Sequence, residues 1–197
     1  MQRLYILHRL YKQMEESNEY LIEACRRRNK PAQLRLYKKY APKLYTACLR
    51  ITGSRMDAEE SMQDAFLKVF NRLDLFRDGQ NFEAWIHRIA VHTAIDFVRR
   101  QKPEWEDFSP DYATPYEEED EPCEESISYN VGQVKEAMQK LPAGYRVVLS
   151  LYLFEGYDTE EIASILDIQP ASVRTQYLRG KRKLIDIITA NKLIWTN

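Results

Sequence analysis

Glycine is scarce in this chain, which has only six among its 197 residues. Sustained alternation of apolar and polar residues, the pattern of half-buried strands, is also missing. Apolar residues recur instead three and four positions apart, which is the spacing of amphipathic helices. The sequence therefore predicts an all-α protein.

Cysteine is sparse too, and the three cysteines, Cys25, Cys48 and Cys123, are far apart in the sequence. No CxxC pair and no histidine cluster accompanies them, so neither a zinc site nor a disulfide framework is indicated. We expect Cys25 and Cys48 to be ordinary small core residues. Free thiols fit a reducing cytosol, and the sequence predicts no metal and no cofactor.

Long apolar runs are missing, since none approaches the roughly 18 residues that a membrane span needs. The N-terminal stretch "MQRLYILHRLYKQ" is interrupted by Arg3, His8 and Arg9, and no small-residue cleavage site follows it. We therefore expect a cytoplasmic protein without membrane insertion. A nucleophile motif, a phosphate loop and a paired-carboxylate metal pattern are all missing, so the chain is not expected to be an enzyme.

Charge is nearly balanced overall but unevenly distributed, with a net charge of +7 in residues 1–101, −10 in 102–133 and +2 in 134–197. The middle stretch combines four prolines with a dense acidic run. Low hydrophobicity and high charge do not offset the loss of chain entropy on folding, so this stretch is predicted to be a flexible linker. The predicted organisation is an N-terminal extension at 1–17, a helical domain at 18–101, the acidic linker at 102–130 and a second helical domain at 131–197.

Residues that start and stop helices divide the first helical domain. Gly53 is expected to end a long helix, and Pro42 within that helix is expected to bend or distort it. Asp57 and Glu60 have the spacing of a capping box and predict the start of the next helix. After a polar loop, a further helix is predicted to begin just beyond Asn81.

The second helical domain contains a helix-turn-helix pattern. Asp158 and Glu161 form a second capping-box pattern, a tight joint follows at 167–169, and Pro170 suits the first residue of the next helix. Such a second helix presents its first turns to base edges, while later basic residues meet phosphates. The alternative is a solvated basic helix end. The predicted DNA-contacting residues are Ser172, Arg174, Thr175, Leu178, Arg179, Lys181, Arg182 and Lys183.

Two stretches carry a family resemblance. "LPAGYRVVLSLYLFEGYDTEEIASILDIQPASVRTQYLRGKRKL" resembles region 4 of bacterial sigma factors, and "DAEESMQDAFLKVFNRLDLFRDGQNFEAWIHRIAVHTAIDFVRRQK" resembles their region 2. No region 3 separates them, as in the extracytoplasmic-function (group 4) sigma factors of the sigma-70 family. The resemblance covers roughly residues 18–188. It implies a region 2 helical bundle and a region 4 helix-turn-helix joined by the acidic linker.

The resemblance also implies a function and partners. A sigma factor binds core RNA polymerase through the beta-prime clamp and the beta flap, recognises minus-35 and minus-10 promoter elements, and helps to open the DNA. The helix-turn-helix residues above would contact the minus-35 element. Glu60, Gln63 and Asp64 would face the clamp, although the residues alone favour an ordinary solvated face, and only the resemblance reverses this.

A minus-10 surface follows from the same resemblance. Strand opening requires a base to leave the stack and enter a pocket, which costs a few kcal/mol that the pocket must return. Phe76 and Trp85 can instead belong to the core. His92 stands where the family often has an amide, so its contact is left open. The predicted minus-10 residues are Phe76, Arg77, Asp78, Asn81, Arg88, His92, Asp96, Arg99 and Arg100.

Three further expectations concern the rest of the chain. The acidic linker would pass through a basic channel of the polymerase, or else act as an inert tether. An anti-sigma factor is an expected partner, and the role of residues 1–17 stays open. The alternative function is an operator-binding regulator that uses only the helix-turn-helix and is not a polymerase subunit.

Overall fold

A computed structural model describes residues 18–77, 79–101 and 131–195 of the chain. Within these ranges every regular element is a helix, which confirms the all-α prediction. The predicted N-terminal extension, the predicted acidic linker and Asp78 lie outside the described residues.

Eight α-helices and one short 3-10 helix make up the described part of the chain. In order they are α1 (Asn18–Arg26), α2 (Lys30–Thr52), α3 (Arg55–Arg72), the 3-10 helix (Leu73–Leu75), α4 (Phe82–Gln101), α5 (Val131–Lys140), α6 (Ala143–Leu153), α7 (Thr159–Leu166) and α8 (Pro170–Trp195).

The described residues divide into two compact units. The first unit contains residues 18–48 and 59–94, and the second contains residues 49–58, 95–101 and 131–195. Helices α2, α3 and α4 therefore each contribute residues to both units.

An aromatic cluster forms part of the core of the first unit. The ring of Phe76 meets the ring of Phe82 edge-on, with centroids 5.1 Å apart, and lies 5.3 Å from the ring of Trp85. Tyr40 of α2 contacts Phe82 from another side at 5.6 Å. Tilted and edge-on arrangements of this kind place the positive edge of one ring against the negative face of another. The cluster therefore fixes the segment before α4 against α2 and α4.

The long helix α2 ends as the sequence predicts. Gly53 has a φ of +73°, and its N–H donates a hydrogen bond to the carbonyl of Leu49. A left-handed residue after the last turn is the common way to end a helix, and glycine adopts it without a Cβ penalty. Pro42 lies inside α2, which continues as one helix past it.

Helix α3 begins earlier than its capping pattern predicts. The Ser54 hydroxyl accepts a hydrogen bond from the N–H of Asp57 at 3.4 Å, and the Ser54 carbonyl accepts one from the N–H of Ala58. Ser54 is therefore the residue that caps the helix, because a serine oxygen also satisfies the free N–H groups of a first turn. Asp57 lies within that turn, and the predicted Asp57–Glu60 capping box is wrong.

In the second unit, α5, α6 and α8 share one apolar core. Met138, Leu141, Leu149, Leu184 and Ile188 are buried there together. Leu184 and Ile188 lie four residues apart on one face of α8, so this helix buries residues at helical spacing.

A close approach of α6 and α8 depends on Gly180. A Cβ atom at this position would lie 3.1 Å from the Cβ of Tyr145 and 3.2 Å from a methyl carbon of Leu149. Glycine inside a helix costs about 1 kcal/mol relative to alanine, so close packing is the physical reason for its presence.

Candidate nucleic-acid interface

The turn between α7 and α8 is built by residues that the sequence identifies. The Asp158 carboxylate accepts a hydrogen bond from the N–H of Glu161 at 2.8 Å, and the Glu161 carboxylate accepts one from the N–H of Asp158 at 3.0 Å. This confirms the predicted capping box. Asp167 ends α7 with a φ of 55°, and Pro170 begins α8. A left-handed aspartate and a proline with preset φ make the turn tight.

The predicted minus-35 residues lie on the part of α8 that is turned away from the buried stripe. Arg174 and the basic triplet 181–183 are exposed, and Thr175 and Arg179 are partly exposed. Leu178, one turn after Arg174 on the same face of the helix, is 37 % exposed. The fold therefore gathers polar, cationic and one apolar side chain on a single accessible surface.

Arg174 in the first turns of α8 has an acidic neighbour on α7. Its guanidinium lies 3.5 Å from a carboxylate oxygen of Glu160, and both side chains are about two-thirds exposed. An exposed ion pair of this kind contributes little to stability, on the order of 0 to 1 kcal/mol. Such a contact leaves the guanidinium accessible while restricting its orientation.

The loop between the 3-10 helix and α4 holds several predicted minus-10 residues. Asn81 caps α4, because its side-chain oxygen accepts a hydrogen bond from the N–H of Ala84 at 3.1 Å. Arg77, which directly follows Phe76, is exposed. Phe76 is only 5 % exposed and belongs to the aromatic cluster, so the core placement that the sequence leaves open is the one the structure adopts for this ring.

Along α4 the predicted minus-10 residues separate into two groups. Arg88, His92, Asp96 and Arg100 are exposed, on the side opposite the buried stripe. Arg99 is partly buried in the second unit, where its guanidinium donates hydrogen bonds to the carbonyls at the end of α7, residues 165 and 166. Cations at a helix C-terminus interact favourably with its free carbonyls.

The predicted polymerase-binding residues lie on α3. Glu60 and Gln63 are exposed, and Asp64 is partly buried. Leu67, one helical turn after Gln63, is 62 % exposed and is not among the residues that the sequence predicts for this surface. The available signal was spacing, because positions 60, 63 and 67 fall on one face of a helix.

The buried cysteines occupy the first unit. Cys25 and Cys48 are both buried, which confirms that they are core residues. Burial raises the pKa of the Cys25 thiol to about 11, although the positive charge of Arg35 acts in the opposite direction. A thiol held protonated in this way is a poor nucleophile.

Neither a metal site nor a membrane-spanning helix is present among the described residues. No group of three or more histidine, cysteine, aspartate or glutamate side chains is placed to hold a metal ion within that part of the chain. None of the helices described there is both long enough and apolar enough to cross a membrane.

Family models match both halves of the chain. Sigma-70 region 2 matches residues 36–104, and Sigma-70, region 4 matches residues 132–184. The structure of the sigma factor RpoE in complex with the anti-sigma factor NepR from Bartonella quintana aligns with a TM-score of 0.50 and 21 % identity, over 79 % of this chain and 95 % of that one. At this identity the likeness shows the fold.

Curated relatives give the same family. The ECF RNA polymerase sigma factor SigW of Bacillus subtilis (strain 168) is 30 % identical over 157 residues, which cover 74 % of this chain and 82 % of that protein. The ECF RNA polymerase sigma factor SigE of Mycolicibacterium smegmatis is 29 % identical over 160 residues, and the match spans 62 % of its length. The chain therefore belongs to the extracytoplasmic-function sigma factors of RNA polymerase, within the sigma-70 family.

Proposed function

We propose that this chain directs core RNA polymerase to promoters by contacting two separate DNA elements. The minus-35 element lies against α8, and the minus-10 element lies against the loop before α4 and the exposed side of α4. The observation that carries the proposal is the exposed surface of α8 with its polar, cationic and apolar side chains. The capped helix α7 and the tight turn hold this helix in place. A rigid support matters because base contacts require the side chains to be held in place before DNA arrives.

The residues of α8 divide by the chemistry of their contacts. Arg174, near the start of the helix, can donate two hydrogen bonds to one guanine, the commonest specific contact in the major groove. Leu178 is apolar and exposed, which suits contact with a thymine methyl group. The basic residues further along the helix are proposed to contact DNA phosphates. The full set comprises Ser172, Arg174, Thr175, Leu178, Arg179, Lys181, Arg182 and Lys183.

The minus-10 surface combines an opened strand with its backbone. Exposed residues of the loop and of α4 supply hydrogen bonds and positive charge to the separated strand, while Phe76 supports the loop from the core. Arg99 acts in the same supporting way through its contact with α7. The direct contacts are proposed for Arg77, Asp78, Asn81, Arg88, His92, Asp96 and Arg100.

Core polymerase is proposed to dock on the exposed face of α3. Glu60 and Gln63 offer polar contacts to basic residues of the beta-prime clamp, with Asp64 beside them. Leu67 adds an apolar contact, since an exposed leucine flanked by polar residues fits the buried centre and polar rim of a protein interface. The beta flap is proposed to bind the second helical domain, residues 131–197.

The remaining partners follow from the family. One structural relative, RpoE, is bound to an anti-sigma factor, and we infer a partner of that class for this chain. Polymerase supplies the catalysis, so this chain needs no enzymatic activity, and it works in the cytoplasm where polymerase is. The acidic stretch 102–130 is proposed to join the two domains as a linker along a basic path in the polymerase.

Transcription in vitro with core polymerase over a promoter library tests the proposal. The chain should stimulate transcription from a subset of promoters that share two short elements at a fixed separation. Core polymerase alone and core polymerase with the Arg174→Ala variant are the controls, and the variant should lose preference at the minus-35 element only. Repression or activation without any need for core binding would instead support the operator-binding alternative.

A further inference from the structure

We propose that Arg26 of α1 is a positioning residue for minus-10 recognition, because it holds Leu73 and Phe76, from which the chain enters the loop before α4. The inference rests on the proposed function and extends it to a helix that precedes the region matched by the family model, which begins at residue 36.

The contact joins side chain and backbone over a long stretch of sequence. The Arg26 guanidinium donates one hydrogen bond to the carbonyl of Phe76 at 2.5 Å and another to the carbonyl of Leu73 at 3.3 Å, 50 and 47 residues away. Arg26 also forms an ion pair with Glu23 at 3.4 Å, one turn earlier on α1. The side chain is 21 % exposed, so its position is set largely by protein.

The two carbonyls that Arg26 contacts flank the 3-10 helix: Leu73 is its first residue, and Phe76 follows its last. The Leu73 carbonyl also accepts the N–H of Phe76 at 3.1 Å, and because a carbonyl oxygen has two lone pairs it can accept the guanidinium as a second donor. Hydrogen bonds with a charged donor are roughly twice as strong as neutral ones. The planar guanidinium has several donors in a fixed arrangement, so one side chain reaches both carbonyls.

Phe76 is therefore held from two directions. Its carbonyl accepts a hydrogen bond from Arg26, and its ring packs against Phe82 and Trp85. The chain leaves this residue to form the loop that ends at Asn81, the cap of α4. Fixing both ends of the loop limits where Arg77 can point.

The function needs such fixation because base capture depends on a pocket that exists before the base arrives. A flipped base gives up stacking and pairing, and only well-placed contacts return that free energy. A displacement of about 1 Å in a supporting group can reduce a rate on the order of 100-fold. Arg26 touches no base in this scheme and acts only through the loop.

Two neighbouring arginines provide a matched pair of variants. Arg27 also contacts Glu23, at 3.0 Å, but its side chain is 78 % exposed. Arg26→Gln removes the charged contacts to the loop carbonyls, while Arg27→Gln removes only a surface ion pair. Arg26→Lys restores a positive charge without the planar arrangement of donors.

The experiment measures promoter opening by 2-aminopurine fluorescence in the minus-10 element, using full-length chain with core polymerase. Single-base substitutions in both promoter elements give the base preference at each. Arg26→Gln should slow opening on the order of 10-fold to 100-fold and flatten the preference at the minus-10 element. Its core affinity and its minus-35 preference should stay near those of Arg27→Gln. Arg26→Lys should recover part of the loss.

Two results would overturn the proposal. One is an unchanged minus-10 preference in Arg26→Gln, matching Arg27→Gln. The other is an equal loss at both elements together with a lowered melting temperature, which indicates a general folding defect. Failure of the proposed function is distinguishable, since the wild-type chain would then open no promoter with core polymerase.

Discussion

At the scale of single residues, Arg146 in the second unit is a buried cation whose hydrogen bonds go to backbone carbonyls. It is 6 % exposed and donates to the carbonyls of Ile51, Thr52 and Leu141 at 2.7 to 3.0 Å. Burial lowers its pKa, and the nearby carboxylate of Asp57 opposes that effect. An arginine stays protonated under these conditions, so its position depends on keeping all three acceptors.

Gly53 makes room for this guanidinium. A Cβ at Gly53 would lie 2.6 Å from the Arg146 Cζ, while a Cβ at Gly156, which has the same φ of +73°, would meet nothing within 4 Å. Gly156→Ala should therefore cost only the strain of a left-handed alanine, about 1 kcal/mol. Gly53→Ala should cost at least about 1 kcal/mol more, because a buried hydrogen-bonded charge must move.

Urea unfolding of the two glycine variants measures this difference. Equal losses in the free energy of unfolding would contradict the close contact between Gly53 and Arg146.

Cys25 makes the free energy of unfolding depend on pH in the alkaline range. Because burial raises its pKa from 9.0 to about 11, the folded state disfavours the thiolate more than the unfolded state does. The contribution of this thiol to the free energy of unfolding is complete below the unfolded pKa of 9.0 and is lost as pH rises through about 11. The stability of the wild type relative to Cys25→Ala should therefore shrink over this interval in urea unfolding. A constant difference between the two proteins would show that the thiol does not titrate as described.

At the scale of elements, the sequence predicts those helix starts and ends that depend on contacts within a few residues. The Asp158–Glu161 capping box, Pro170 and Gly53 lie where the sequence places them, since each satisfies backbone groups within a few residues. The start of α3 was missed because Ser54 and Asp57 are both good caps, and sequence alone does not rank two competing caps three residues apart.

Contacts over long sequence separations were beyond sequence reasoning. Arg26, Arg99 and Arg146 look like ordinary surface cations in the sequence, yet each donates to carbonyls at the end of a distant helix. Nothing in the spacing of charged residues indicates which helix end an arginine will reach. Hence the sequence indicates neither the carbonyl partners of Arg99 nor those of Arg26.

The exposed face of α3 carries the prediction for polymerase binding. Leu67→Asp should weaken binding to core polymerase by about 10-fold, because truncating a buried interface contact typically costs more than 1 kcal/mol. Leu34→Asp on α2 is the matched control, since that leucine is also exposed, at 54 %. Both variants should fold normally. Titration of labelled chain with core polymerase measures the affinity, and equal affinities of the two variants would remove Leu67 from the interface.

At the scale of the whole molecule, the charge distribution indicates that the chain by itself does not bind promoter DNA tightly. The net charge is −1, and the acidic stretch in the middle repels the phosphate backbone. Each recognition surface offers few base contacts. A polymerase that fixes the separation of the two surfaces raises the effective concentration of the second contact once the first has formed. Sequence-specific promoter binding is therefore expected of the chain in complex with core polymerase.

The most direct test of this account is equilibrium binding of a fluorescent promoter fragment to the chain with and without core polymerase, at one salt concentration. The chain alone should bind weakly and with little preference for the promoter over scrambled DNA. With core polymerase, binding should be tight and should fall when either element is scrambled. Tight, sequence-specific binding by the chain alone would contradict the account.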